Sequence, residues 1–190
     1  MYTILGILGG LLALISNIPY IRDILKKTTK PHRVTWGIFF LLNIIFLGNQ
    51  LAAGATSSIW LVIAFTLSTL IIFSLSLKYG VGGTTKLDVM ILIGSLVGVG
   101  LWQILQAPIA SVLANLVVAT IAAIPTYRKA WLQPQTETKL SFLLGTIAAA
   151  FTVVSVGGMS LVLLLLPIYS VVYNGSIYLI LTKRIRPASH

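Results

Sequence analysis

The side chains that most often carry chemistry are scarce in this sequence. It contains no cysteine, two histidines (His32 and His190) and three acidic residues, Asp23, Asp88 and Glu137. Thiol catalysis, disulfides and cysteine-ligated metals are therefore excluded, and neither histidine has a second ligand at metal-binding spacing. The residue types predict no enzyme, no metal site and no cofactor.

The best remaining candidates are polar and aromatic side chains within or at the edge of long apolar stretches. The predicted substrate-binding residues are Asn43, Ser68, Asn115, Tyr173, Asn174 and Trp60. A carboxamide in hydrocarbon costs free energy unless it has a partner, so the asparagines should face the interior of a helix bundle. Tyr173 shares a helix face with Tyr169, four residues earlier. The alternative is that each asparagine only joins two helices, through a hydrogen bond of about 0.6–2 kcal/mol.

The composition identifies the environment that these residues occupy. Hydrophobic residues make up 57% of the 190 positions and charged residues only 8%, whereas a soluble domain carries about 25% charged residues. So few charges cannot cover a water-exposed surface. The sequence predicts an integral membrane protein and excludes a soluble enzyme, a DNA-binding module and a disordered regulator.

Seven apolar stretches approach or reach the roughly 20 residues that cross a bilayer as a helix. We number them spans 1 to 7, at residues 3–20, 34–51, 57–77, 89–105, 108–126, 140–156 and 160–181. They lack the alternation of barrel strands. The predicted fold is an all-α membrane protein with seven transmembrane helices.

The basic residues predict how the chain is oriented in the membrane. All 13 follow the odd-numbered spans: five after span 1, two after span 3, three after span 5 and three after span 7. The positive-inside rule then places the N-terminus outside and the C-terminus in the cytoplasm. The net charge of +10 is explained by topology and by attraction to anionic lipids, so no nucleic-acid partner is expected. Trp36 and Trp131 fall at the cytoplasmic boundary, where aromatic anchors are common.

The two halves of the sequence resemble each other at an offset of 106 residues. Residues 18–22 (Ile-Pro-Tyr-Ile-Arg) align with 124–128 (Ile-Pro-Thr-Tyr-Arg), and Ser68 aligns with Asn174. The pattern predicts two parallel three-helix repeats, 1–84 and 107–190, joined by a linker helix at 85–106. Transporters use such repeats, with the substrate site at their interface near the midplane.

The aligned prolines and arginines suggest moving parts. Pro19 and Pro125 interrupt helical hydrogen bonding near the cytoplasmic ends of spans 1 and 5, and we interpret them as hinges. Arg22 and Arg128 follow one turn later and are candidates for a cytoplasmic gate. The alternatives are static kinks or helix stops for the prolines, and snorkelling anchors for the arginines.

This 3+1+3 arrangement, with a proline and then a basic loop after spans 1 and 5, resembles the SWEET/SemiSWEET and PQ-loop transporter superfamily. Pro-Tyr and Pro-Thr stand where the superfamily has Pro-Gln. The resemblance implies substrate-binding asparagines in the third helix of each triplet. Asn174 lies at that position, and Ser68 stands where the other asparagine would be. The resemblance also implies a facilitator that moves a small, largely neutral polar solute, such as a sugar, nucleoside or vitamin, by alternating access.

Two other functions remain open on the same fold. One is a ligand or sorting receptor like the KDEL receptor, and the other is a structural or lipid-handling membrane protein. The expected partners are a small solute and membrane lipids, and a Gly94-x-x-x-Gly98 pattern leaves a homo-oligomer open. Short loops favour a prokaryotic inner (plasma) membrane over an organelle membrane.

Overall fold

The computed structural model describes residues 2–82, 85–86, 89–90, 93 and 108–184. That part of the chain is helical and contains no β-strand. Its six α-helices are α1 (Tyr2–Leu25), α2 (Arg33–Ala52), α3 (Ile59–Tyr79), α4 (Pro108–Leu132), α5 (Lys139–Ser155) and α6 (Leu161–Arg184). A short 3₁₀ turn, Pro134–Thr136, lies between α4 and α5.

Four of these helices are suited to cross a bilayer. Helices α1, α2, α3 and α6 have 20 to 24 residues and are apolar enough to span the membrane, and α5 is apolar but has 17 residues. The prediction of an all-helical membrane protein is thereby confirmed. Predicted span 4 lies outside the described residues, apart from Val89, Met90 and Ile93.

The helix ends differ from the predicted spans mainly beside two prolines. Helix α1 continues past Pro19 to Leu25, and α4 continues past Pro125 to Leu132. A proline removes one hydrogen bond to the carbonyl four residues earlier, yet both helices keep a further turn or more. The interpretation of the two prolines as helix stops is therefore wrong. Pro167, inside α6, is a third internal proline.

The six helices form a closed ring around a central space. Helix α1 packs between α3 and α5, α2 packs between α3 and α4, and α6 packs between α4 and α5. Glycines allow close approach on α1. A Cβ on Gly9 would come within 2.6 Å of Thr152 Oγ1, and one on Gly10 within 2.7 Å of Trp60 Cβ. Helix interfaces in membranes use small residues for this reason.

The outside of the ring is apolar and its two ends differ in charge. Leu11, Ile15 and Ile18 of α1 are at least half exposed, as suits a surface that faces lipid. At one end, where α1, α3, α4 and α6 finish, the connecting loops carry Lys and Arg, and we call it the charged end. Here Arg184 stacks on Trp131, 3.7 Å from the ring centroid.

The opposite end, where α2 and α5 finish, carries no Lys or Arg in its loops 53–58 and 156–160. We call it the uncharged end. It receives the start of α1, since Ser57 contacts the Thr3 hydroxyl at 3.4 Å. The separation of charge that the sequence predicted is therefore present along the axis of the ring.

Candidate functional site

A cavity lies inside the ring and is lined by residues from all six helices. It has about 90 Å³ of space for the centres of water-sized molecules. One water needs roughly 10–15 Å³ in this measure, so the cavity can hold several waters or a small organic molecule. This cavity is the candidate functional site.

Four of the six predicted substrate-binding residues meet in this cavity. They are Asn43 on α2, Ser68 on α3, and Tyr173 and Asn174 on α6. Asn43 and Ser68 are buried, 8% and 3% exposed. The ring brings together four residues that are as much as 131 positions apart in sequence. Polar side chains in the middle of apolar spans were the signal that found them.

The other two predicted residues are not among those that line the cavity. Asn115 is buried in α4, and its Nδ2 atom has no hydrogen-bond partner in the part of the chain that the structure describes. The Trp60 side chain packs beside Gly10 of α1 and is 42% exposed. The structure therefore gives neither residue a place at the candidate site.

Three asparagines that line the cavity make the same hydrogen bond. Asn17, Asn43 and Asn174 each donate a hydrogen bond through Nδ2 to the backbone carbonyl four residues earlier, at 2.8, 2.8 and 2.9 Å. Each bond uses one N–H of the carboxamide, and no donor among the described residues bonds to the side-chain oxygens, which remain as acceptors. Asn17 bonds to the Ala13 carbonyl, so it does not satisfy the carbonyl that Pro19 leaves free at Ile15.

Aromatic rings form most of the remaining wall. The eight that line the cavity are Tyr20, Trp36, Phe39, Phe46, Phe65, Phe142, Tyr169 and Tyr173. Tyr173 connects several of them: its ring is parallel to Tyr169, with centroids 6.1 Å apart, and edge-on to Phe39 at 5.5 Å and Phe142 at 6.4 Å. These are favourable offset and edge-to-face geometries. None of the described residues that line the cavity is charged.

The part of the cavity nearest the charged end contains polar atoms without partners. Tyr20 OH, Trp36 Nε1 and Ser141 Oγ are buried and have no partner at hydrogen-bond distance among the described residues. The Tyr20 hydroxyl nevertheless interacts with Trp36 and with the Glu137 carboxyl. The Tyr20 and Trp36 rings lie 5.2 Å apart. We call these three residues the polar floor of the cavity. Trp36, predicted as an interfacial anchor, lines the cavity instead, whereas Trp131 is 54% exposed.

A buried ion pair lies on the loop side of the polar floor. Lys129 Nζ donates to Glu137 Oε1 at 2.8 Å, and the two side chains are 9% and 1% exposed. Lys129 also donates to the backbone carbonyl of Lys30. Burial raises the pKa of the Glu137 carboxyl, and the neighbouring Lys129 ammonium opposes that rise.

A second set of contacts joins the same two loops. Thr138 donates to Asp23 Oδ2 at 3.0 Å, and Thr29 and Thr138 hydroxyls lie 2.9 Å apart. Together with Lys129 and Glu137, these residues connect the loop after α1 to the loop after α4. We call the five residues, Asp23, Thr29, Lys129, Glu137 and Thr138, the closure cluster.

The predicted gate arginines lie outside this cluster. The Arg22 side chain is 62% exposed and pairs with Asp23 Oδ1 at 3.1 Å, and Arg128 is exposed. The contacts between the loops are made by the next residue in each case, Asp23 and Lys129. A basic residue at a helix end is an ambiguous signal, because its burial depends on how the loops fold.

Among the residues that the structure describes, no group of three or more His, Asp or Glu side chains could hold a metal ion. No protein-family model matches the chain, and no curated protein or solved structure is significantly similar to it. The class that the fold and site define is an all-helical membrane protein with an uncharged cavity inside its helix ring.

Proposed function

We propose that the protein is a carrier, a facilitator that moves a small, largely neutral polar solute across the membrane by alternating access. The observation that carries the proposal is the cavity inside the ring, with its three unused carboxamide oxygens and no charge. Ligand sites combine apolar walls with a few placed polar groups. A charged solute would enter this lining without a counter-charge, which is costly.

The order of the helices supports the proposed 3+1+3 architecture. Under the 106-residue offset, α1, α2 and α3 correspond to α4, α5 and α6. The contacts then come in matched pairs: α1–α3 with α4–α6, α2–α3 with α5–α6, and α1–α5 with α4–α2. This is the pattern expected for repeats 1–84 and 107–190 related by a two-fold axis along the ring, with residues 85–106 as the linker.

The proposed orientation follows the charge. The charged end faces the cytoplasm and the start of α1 faces the opposite side, as the positive-inside rule requires. The membrane is a prokaryotic inner membrane in this proposal. The cytoplasmic side is closed by the closure cluster, which connects the two repeats.

Transport requires that the two repeats separate at this end. Pro19 lies four residues before Asp23, and Pro125 lies four residues before Lys129. Each proline removes a hydrogen bond from the helix just before a residue of the closure cluster. We therefore assign the hinges to these prolines, so that rocking of α1 and α4 parts the cluster.

The test is solute flux into liposomes that contain the purified protein. We expect saturable uptake of a neutral solute, and a loss of about tenfold or more in Asn174→Ala, which corresponds to about 1.4 kcal/mol. Thr182→Ala is the matched control: Thr182 lies on the same helix, is exposed and makes the same type of bond to the carbonyl four residues earlier. We expect it to transport normally. Full uptake by Asn174→Ala would contradict the proposed site.

Binding and thermal-stability measurements on the same purified protein separate the alternatives. Saturable binding without flux would point to a receptor. Stabilisation by lipids alone, unaffected by Asn174→Ala, would point to a structural or lipid-handling protein.

A further inference from the structure

We propose that the solute is an uncharged, planar N-heteroaromatic compound that carries both N–H donors and carbonyl acceptors. Its ring lies between the aromatic walls, its N–H groups meet the carboxamide oxygens, and its carbonyl meets the polar floor. This inference rests on the proposed carrier function and narrows its substrate class.

The walls favour a flat ring. Tyr169 and Tyr173 stand parallel, with only 5° between their planes, and Phe39 and Phe142 contact Tyr173 edge-on. Because each ring is held by its neighbours, the wall keeps its shape when a ligand leaves. A rigid aromatic wall offers stacking to a flat ligand at little conformational cost.

The hydrogen-bonding groups of the cavity differ between its two ends. Trp36 of the polar floor and Asn43 lie on the same helix, seven residues apart, which is about 10 Å along the axis at 1.5 Å per residue. The indole N–H can only donate, whereas the Asn43 carboxamide has an oxygen that accepts and a second N–H that donates. A ligand that fits must therefore place an acceptor at the polar floor and a donor for the Asn43 oxygen about two helical turns away.

The hydroxyl groups of the lining argue against a polyol. Ser16, Thr69 and Ser170 already donate to backbone carbonyls of their own helices, at 2.7, 2.7 and 2.9 Å. A sugar presents a hydroxyl at nearly every carbon, and each needs donors and acceptors around it. The described lining has few polar groups beside its aromatic rings, so most sugar hydroxyls would lose their water without replacement.

The polar floor supplies the independent observation that points to a ligand. Trp36 Nε1 and Ser141 Oγ are buried with no partner at hydrogen-bond distance among the described residues, and buried polar groups in folded proteins almost always have one. The Tyr20 hydroxyl lacks one at that distance too, but it interacts with Trp36 and with the Glu137 carboxyl. All three side chains line the cavity. A ligand carbonyl at this position would satisfy at least one of these donors and would be fixed in orientation by it.

The experiment measures equilibrium binding to the purified full-length protein in detergent. The probes are uracil and hypoxanthine, which have the required groups, with glucose as the polyol and 1,3-dimethyluracil as the ring without N–H donors. We expect uracil or hypoxanthine to bind at least tenfold more tightly than glucose. For uracil, methylation of both nitrogens should remove most of the binding.

Trp36→Phe tests the polar floor, because it keeps an aromatic ring and removes the donor. We expect a loss of about tenfold in affinity for the ring compound that binds. Trp131→Phe is the control: Trp131 stacks on Arg184 at the charged end, outside the cavity lining. Ser141→Ala is a second, smaller change at the floor and should also weaken binding.

Three outcomes would overturn the inference: no binding of either ring compound, equal binding of uracil and dimethyluracil, or unchanged affinity in both floor variants. Binding and liposome uptake of glucose alone would overturn the substrate class and leave the carrier function standing. Binding of the ring compounds without flux would support the proposed ligand class and would contradict the carrier function.

Discussion

The carboxamide of Asn174 occupies its place because the facing residue on α5 is a glycine. A Cβ on Gly145 would come within 3.0 Å of Asn174 Oδ1 and 3.1 Å of its Cγ. These distances are shorter than ordinary van der Waals contact. Access of a ligand to the Asn174 oxygen thus depends on the absence of a methyl group on the neighbouring helix.

The first prediction at this scale is that Gly145→Ala pushes the Asn174 amide out of position and weakens ligand binding by about tenfold. Gly48→Ala is the control, because nothing lies within 4 Å of its added Cβ. It should keep full affinity and gain about 0.5–1 kcal/mol in stability from the higher helix propensity of alanine. Binding and melting measurements on both variants check this, and equal affinities would rule out the steric argument.

The second prediction concerns the pH dependence of stability. Burial raises the pKa of Glu137 above its ordinary value of about 4.5, so the native state holds this proton where the unfolded chain has lost it. Stability therefore falls as pH rises from about 4.5 to the pKa of the folded protein, by up to about 1.4 kcal/mol per pH unit. Melting temperatures measured from pH 4 to 8 should show this decline.

Two variants isolate the contribution of this carboxyl. Glu137→Gln should flatten the decline, because it removes the titrating group. Lys129→Met removes the cation that holds the pKa of Glu137 down, so it should extend the decline to higher pH and destabilise the protein by about 3–5 kcal/mol at neutral pH. If the wild type and Glu137→Gln melt along parallel curves, Glu137 does not titrate as described.

Sequence reasoning found the residues in the middle of the spans and missed those near their ends. Asn43, Ser68 and Asn174 stood out because an uncharged polar residue is conspicuous in an apolar run. Trp36 and Glu137 lie where membrane helices usually meet water, so the sequence indicated an anchor and a loop acid. Their burial depends on how the loop residues 26–32 and 133–138 fold together, and no local sequence pattern predicts that arrangement.

At the scale of elements, the important contacts run between the ends of helices α1 and α4. Each helix passes its proline and extends to the closure cluster, where Asp23 bonds to Thr138 and Lys129 bonds to Glu137. The cluster thus connects two elements that are far apart in sequence. In the proposed mechanism it is the barrier between the cavity and the cytoplasm.

The prediction at this scale uses the absence of cysteine from the chain. Ser68→Cys places a single thiol in the cavity, and a membrane-impermeant thiol reagent added at the charged end measures its accessibility. We expect slow labelling in this background. Adding Thr138→Val, which removes the hydrogen bonds to Asp23 and Thr29, should speed labelling about tenfold or more by favouring the open state.

Lys26→Cys, exposed in the loop after α1, is the control and should label quickly with or without Thr138→Val. Unchanged labelling of the cavity thiol in the Thr138→Val background would show that the cluster is not the barrier.

At the scale of the whole molecule, the lengths of the spans were predictable and their neighbours were not. Six of the predicted spans have a corresponding helix, because the length of an apolar run between charges can be read from the local sequence. The order of the helices in the ring cannot be read in this way, since these helices are apolar on nearly all faces and hydropathy does not mark which face packs. The 106-residue offset was the sequence feature that bore on the order of the helices, and the asparagines expected to face inward bore on which faces pack.

The two closure residues Asp23 and Lys129 stand at equivalent positions under this offset, and they have opposite charge. If the protein arose by duplication of one three-helix unit, the ancestral dimer carried the same residue at both places. A dimer of the present first half would bring two aspartates to the closure and no lysine to reach the facing loop. Under that origin, the divergence of this pair has made the two halves unequal, and neither could replace the other at the contact with the facing loop.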